Sequence, residues 1–173
     1  MKTNNTFITK NSLFGVLVGL SLILASLVFY ITGKNIMLNP QLSNVMMLLS
    51  IAGAFIGVRK YREEQLEGFI SYPQALGGCI YIITIGSLIY SIYAYALYRY
   101  DPELQASYLT TLQVMLDEMY KGSPMLDTVK NMMEHLVSPV FIAATETFNK
   151  ILTGLIFSLL MAGILRRKPR IAA

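Results

Sequence analysis

Charged side chains are scarce: Asp, Glu, Lys and Arg make up 14% of the 173 residues, against roughly 25% in an ordinary globular domain. Cys79 is the only cysteine and His135 the only histidine. A disulfide scaffold needs paired cysteines and a structural zinc site needs several Cys or His ligands, so neither is available. The sequence has no Gly-rich phosphate loop, no nucleophile elbow and no metal constellation. Glu134 and His135 are neighbours, so on a helix their side chains diverge by about 100° and form no dyad. His135 reads as a surface or cap residue. The formal net charge is +4, yet the basic residues flank apolar runs instead of lining one face, which argues against nucleic acid. No cofactor and no metal are expected, and the chain does not read as an enzyme.

Hydrophobic residues, by contrast, make up 54% of the chain, which excludes a disordered polypeptide and marks an integral membrane protein. Leu13 to Ile31 is free of charge for 19 residues, about 28 Å as a helix, matching a hydrocarbon core of about 30 Å. It is longer than a signal-peptide core, and Tyr30 to Lys34 offers no small-x-small cleavage site, so it reads as an uncleaved span. Proline punctuates the remainder, because it suits the first turn of a helix and biases the preceding residue away from one. Asn39-Pro40 opens a second span to Val58. Ser71, Pro73 and Gln74 open a third to about Tyr98, with Ser71 and Gln74 at capping-box spacing. Ser138-Pro139 opens a fourth, ending at Leu165. The expected fold is a single all-α membrane domain over 1–173, with spans near 13–31, 40–58, 73–98 and 139–165.

The segment 101–138 is too polar to span. Asp101-Pro102 and Ser123-Pro124 start two amphipathic helices, the first with Leu104, Tyr108, Leu112, Met115 and Met119 on one face. The second aligns Met125, Val129, Met132 or Met133, and Leu136. Five of the ten methionines lie here, and methionine suits adaptable surfaces. The region is net acidic, unlike a helix bound to anionic lipid, so the stripes are expected to cover the protruding ends of spans three and four, or a partner.

Lysine and arginine set the orientation. Nine of fourteen, namely Lys2, Lys10, Arg59, Lys60, Arg62, Arg166, Arg167, Lys168 and Arg170, fall on one side if both termini share it. Lys34, Arg99, Lys121, Lys130 and Lys150 fall at or near the other. Both termini are therefore expected in the cytoplasm and 101–138 outside.

The first three spans carry no ionisable Asp, Glu, Lys, Arg or His, whereas ion-coupled transporters keep one at membrane depth. The fourth span differs. Only Ile151 to Leu165 is charge-free, so Glu146, Asn149 and Lys150 lie at or just inside the outer boundary. Glu146 and Lys150 stand at i, i+4 with the acid first, the favourable order for a helical ion pair. They are either a polar site facing the bundle or a snorkelling lysine with its partner. Seven of eleven tyrosines lie between Tyr72 and Tyr100. Tyr90, Tyr93, Tyr95, Tyr98 and Tyr100 fit an interfacial belt, while Tyr90, Tyr93 and Tyr100 could instead line a groove for a lipid or sugar. Gly15 with Gly19, and Gly53 with Gly57, have the spacing that lets helix backbones approach closely, within one bundle or at a partner interface. Arg59, Lys60 and Arg62 sit where lipid phosphates or a partner's acidic groups would be, or act as a plain positive-inside anchor.

The run Gly53, Gly57, Val58, Arg59, Lys60, Tyr61, Arg62, Glu63, followed by Gly68, Ser71, Tyr72 and Ala75, resembles an uncharacterised four-span bacterial membrane protein family catalogued as domain of unknown function 4199. The resemblance covers essentially the whole chain. It implies a four-helix inner-membrane protein with no established activity, and genes that often neighbour membrane glycosyltransferases. The expectation is a non-catalytic accessory or scaffold subunit of a membrane enzyme complex such as a glycosyltransferase, bound to a membrane protein partner or to copies of itself. The alternative is a lipid or small-solute translocating protein.

Overall fold

The computed structural model describes residues 2–32, 36 and 39–167. Six helices follow one another: α1 (Lys2–Ile31), α2 (Pro40–Gln65), α3 (Tyr72–Tyr100), α4 (Pro102–Met119), α5 (Leu126–Leu136) and α6 (Pro139–Leu165). Among the described residues there is no strand, only an isolated bridge between Ile70 and Arg167. Helices α1, α2, α3 and α6 are long and apolar enough to cross a membrane. This is an all-α, four-span, multi-pass membrane protein.

The starts of α2, α3, α4 and α6 are written in the sequence. Asn39 Oδ1 accepts from the backbone N–H of Gln41 at 2.9 Å, ahead of Pro40. Gln74 Oε1 accepts from Ser71 N–H at 3.2 Å. Asp101 Oδ1 accepts from Leu104 N–H at 3.2 Å, and Ser138 Oγ from Phe141 N–H at 3.3 Å. Each cap satisfies donors that a helix leaves unpaired in its first turn. The α2–α3 turn needs left-handed backbone at Glu67 (φ 51°) and Gly68 (φ 86°).

Several boundaries differ from the sequence-based expectation. Helix α2 continues to Gln65, seven residues past Val58, so the basic motif is helical and not a loop. Charge ends a hydrophobic span without ending a helix. Helix α5 begins at Leu126, because Ser123 and Pro124 are spent on a turn in which Ser123 N–H bonds Tyr120 C=O at 2.9 Å. Lys34, Lys168, Arg170 and the terminal Ala173 lie outside the described residues.

Helix α3 is the central element. It packs against α1, α2 and α6, while α2 also touches α1 and α6. Its buried face includes Ala75, Ile82, Ile83, Gly86, Tyr90 and Ala94. Close approach needs glycine at the crossings. A Cβ on Gly15 would stand 2.7 Å from Ile85, one on Gly86 2.7 Å from Val18, and one on Gly154 2.6 Å from Ile83. Gly19 faces Ile89, Gly53 faces Val18, and Gly57 faces Phe14 and Ile82. All four glycines of the two spaced pairs are therefore used inside the bundle, where packing drives association, and not on a free surface for a partner.

Helix α4 caps one end. Tyr108 packs with Tyr98, Val137 and Ile142, and Leu104, Leu109 and Leu112 adjoin them. The inward face runs through Leu104, Tyr108, Leu112 and Leu116; Met115 and Met119 are exposed, contrary to the stripe expected for them. An i+4 progression keeps to one side of a helix, whereas Met115 and Met119 sit one position off it. Helix α5 is held to α4 by Lys130–Asp117 at 2.6 Å and Gln113–Glu134 at 2.9 Å. Val129 and Met133 are half-buried, while Met125, Met132 and Leu136 are exposed. His135 is exposed and its Nδ1 meets the Asn131 carbonyl at 2.8 Å.

Candidate functional site

Helices α2 and α6 both run from the capped end to the basic end, and a pocket of about 200 Å³ lies between their first halves. Tyr90 of α3 contributes to its lining. From α6 come Glu146, Asn149, Lys150, Thr153, Gly154 and Phe157; from α2 come Asn39, Leu42, Ser43, Met46 and Ser50, among others. Polar groups cluster toward the capped end and apolar ones toward mid-membrane. The rim residues Met47, Ile51, Thr153 and Phe157 are only half-buried, so the pocket opens sideways along the α2–α6 groove.

Of the sequence-derived site residues, Tyr90, Glu146, Asn149 and Lys150 line this pocket; Glu146 and Lys150 are bonded to each other, and the Tyr90 ring lies against Lys150. The Lys150 ammonium stands 4.3 Å from the centroid of the Tyr90 ring. Tyr90 gives its π face and not a hydroxyl hydrogen bond, a cation–π contact strengthened by exclusion of water. Asn149 lies on the exposed rim. Tyr93 does not line the pocket; its ring packs on Tyr90 at 5.9 Å, and its buried hydroxyl has no hydrogen-bond partner.

The tyrosine belt needs correction. Tyr90 and Tyr98 are 3% and 2% exposed, so they are bundle residues and not interfacial anchors. Tyr95 and Tyr100 are exposed, and Tyr100 does not line the pocket that holds Tyr90. Glu146 is near enough to act electrostatically on the hydroxyls of Tyr90, Tyr98 and Tyr108. Burial, with Glu146 adding to it, pushes the Tyr108 phenol above its ordinary pKa. The Glu146 carboxylate accepts from the Lys150 ammonium, which offsets its charge.

The basic motif divides. Arg59 pairs with Glu63 at 3.0 Å and Lys60 with Glu64 at 3.6 Å, all largely exposed, and Lys10 joins Glu64 at 3.1 Å. These remain available to the membrane surface. Arg62 does not: it is 7% exposed, and its Nη1 donates to the Leu165 carbonyl at 3.0 Å while Nη2 donates to Glu63 at 3.0 Å. It closes the C-terminal end of α6 and is no phosphate anchor. The α3 start and Arg166–Arg167 border a second, wide recess at the same end.

The contribution of α2 to the pocket was not visible in the sequence. Asn39 signals a helix cap and Ser43 is an ordinary polar residue of a first turn; only the parallel placement of α2 and α6 brings them beside Lys150. Tyr108, buried between α4 and the bundle, carried a periodicity signal for burial but none for proximity to Glu146.

No curated protein and no solved structure matches this chain. Residues 13–167 match a family described as protein of unknown function DUF4199. That match runs from the first span through the last, including the α2–α6 pocket and the Arg62 closure, and the chain therefore belongs to the DUF4199 family.

Proposed function

We propose that this protein is a non-catalytic component of the bacterial inner membrane that binds a lipid in its outer half and serves a membrane enzyme complex, such as a glycosyltransferase, as an accessory subunit. One observation carries the reading: the α2–α6 pocket opens sideways at membrane depth, has apolar walls, and holds the two charges of its described lining as a mutually neutralised pair. A carboxylate bonded to a lysine is poorly placed for proton transfer, which needs a free acid or base within reach of substrate. The apolar walls suit acyl chains, and the polar end suits a headgroup.

Placing the capped end outside follows from Arg59, Lys60, Arg62, Arg166 and Arg167 at the opposite end. The exposed methionines of α4 and α5 then face the extracytoplasmic side, where they favour the subunit role, since methionine-rich faces adapt to partners. Translocation is less well supported. At the lower end of the pocket Gly154 sits tight on Ile83, and Ala54 and Ile82 are fully buried.

Purification in mild detergent followed by mass spectrometry tests the reading. A stoichiometric membrane partner together with retained phospholipid is expected. A homogeneous homo-oligomer with no partner would overturn the subunit role and favour transport.

A further inference from the structure

The pocket between α2 and α6 has a charge pattern as well as a shape. Among the described residues its lining contains one cation, Lys150, and one anion, Glu146, whose side chains are only 13% and 22% exposed. A ligand that engages one of them and ignores the other strands a poorly solvated charge, and that penalty exceeds the loss of an ordinary hydrogen bond. A monoanionic head would pair with Lys150 and confront Glu146 with like charge. A simple cation would meet the converse problem at Lys150. A head carrying both signs replaces the internal pair with two new ones and leaves neither charge alone.

The surroundings fit that exchange. Glu146 and Lys150 lie one helical turn apart on the same helix, so flexible side chains can part without moving the backbone. The Tyr90 ring already lies under a cation and can serve the ligand's as well. Ser43 and Asn149 stand on the exposed rim beside Lys150, with donors suited to phosphate oxygens. The walls continue through Leu42, Met46, Ile51 and Phe157, which suit hydrocarbon and have nothing to offer a soluble metabolite. At about 200 Å³, the pocket is smaller than the roughly 300–1,000 Å³ of sites that enclose a whole ligand. It therefore takes a headgroup and the first carbons of a chain, leaving the rest in the bilayer.

We propose that the pocket holds the zwitterionic head of a phosphoethanolamine lipid, its phosphate on Lys150 and its ammonium on Glu146. A primary ammonium is specified because Glu146, once released by Lys150, needs a replacement N–H donor. The assignment rests on the lipid-binding reading above and adds the headgroup to it.

Native mass spectrometry of the intact protein in detergent micelles, titrated separately with phosphatidylethanolamine and with phosphatidylglycerol of the same chains, reads the preference directly. Binding of phosphatidylethanolamine is expected to be about tenfold tighter, the scale of one additional close charge pair. Glu146→Gln leaves Lys150 alone and should reverse the order. The neutral double variant, Glu146→Gln with Lys150→Met, should bind both lipids equally, and it keeps the comparison possible if the single variant does not fold. Soluble phosphoethanolamine should not compete. Equal binding of the two lipids by the unaltered protein, or a preference for phosphatidylglycerol, overturns the headgroup assignment and leaves the lipid pocket standing. Full competition by soluble phosphoethanolamine overturns the lipid source in favour of a free zwitterion. Absence of any retained lipid overturns the lipid-binding reading and this inference with it.

Discussion

Arg62 and Leu165 are 103 positions apart in the chain, yet the Arg62 guanidinium donates to the Leu165 carbonyl at 3.0 Å. The bond ties the end of α2 to the end of α6 at the basic face of the bundle. The last carbonyls of a helix have no partner within it, and a cation near them is favoured by the helix dipole as well. Beside it, Arg167 N–H donates to Ile70 C=O at 3.0 Å and Ile70 N–H returns to Arg167 C=O at 3.2 Å, so two connections close the same corner.

Replacing Arg62 should therefore cost stability and not merely surface charge. Arg62→Met removes a charge-assisted bond to a buried carbonyl, and a loss of about 1.5–3 kcal/mol is expected. Arg59→Gln, at an exposed ion pair, should stay within about 0.5 kcal/mol. Thermal unfolding in detergent compares them; equal effects would mean that Arg62 is only one more anchor.

Two glycines of α6 should respond in opposite directions. Gly154→Ala drives a methyl group into Ile83, and overpacking of this kind costs about 1–3 kcal/mol. Gly163 has nothing within 4 Å of a built Cβ, so Gly163→Ala should be neutral or stabilise by up to about 1 kcal/mol through helix propensity. The difference in unfolding midpoint between the two variants tests whether close α3–α6 packing needs the glycine.

The Glu146–Lys150 pair should behave as a coupled unit. Glu146→Ala strands a largely buried ammonium, so it should be more harmful than the double change, whereas Lys150→Met should be tolerated. A double-mutant cycle on thermal stability should return a coupling above about 0.5 kcal/mol. Additive, small effects would make the pair plain surface.

Orientation is open to direct labelling. Lys121→Cys should react with a membrane-impermeant thiol reagent added outside intact cells, and Ala173→Cys should not. The native Cys79 is fully buried, so background is low. Labelling of Ala173→Cys from outside would overturn the proposed topology.

The sequence by itself determined the four spans, the caps at Asn39, Asp101 and Ser138, and the i, i+4 relation of Glu146 to Lys150. Each depends on a residue and its near neighbours: transfer to hydrocarbon acts residue by residue, and a cap reaches only two or three positions along the chain. Tertiary structure alone decided which face of each helix meets another. In a uniformly apolar helix, Tyr90 toward the bundle and Tyr95 toward lipid have no distinguishing pattern, because lipid and protein interior are equally apolar. The same limit hid the role of Arg62, which reads from sequence as a surface charge. Its burial depends on α6 ending beside it, and the pocket likewise exists only because α2 and α6 run side by side over α3. Relations across more than a hundred residues are set by how helices pack, and local chemistry does not encode them.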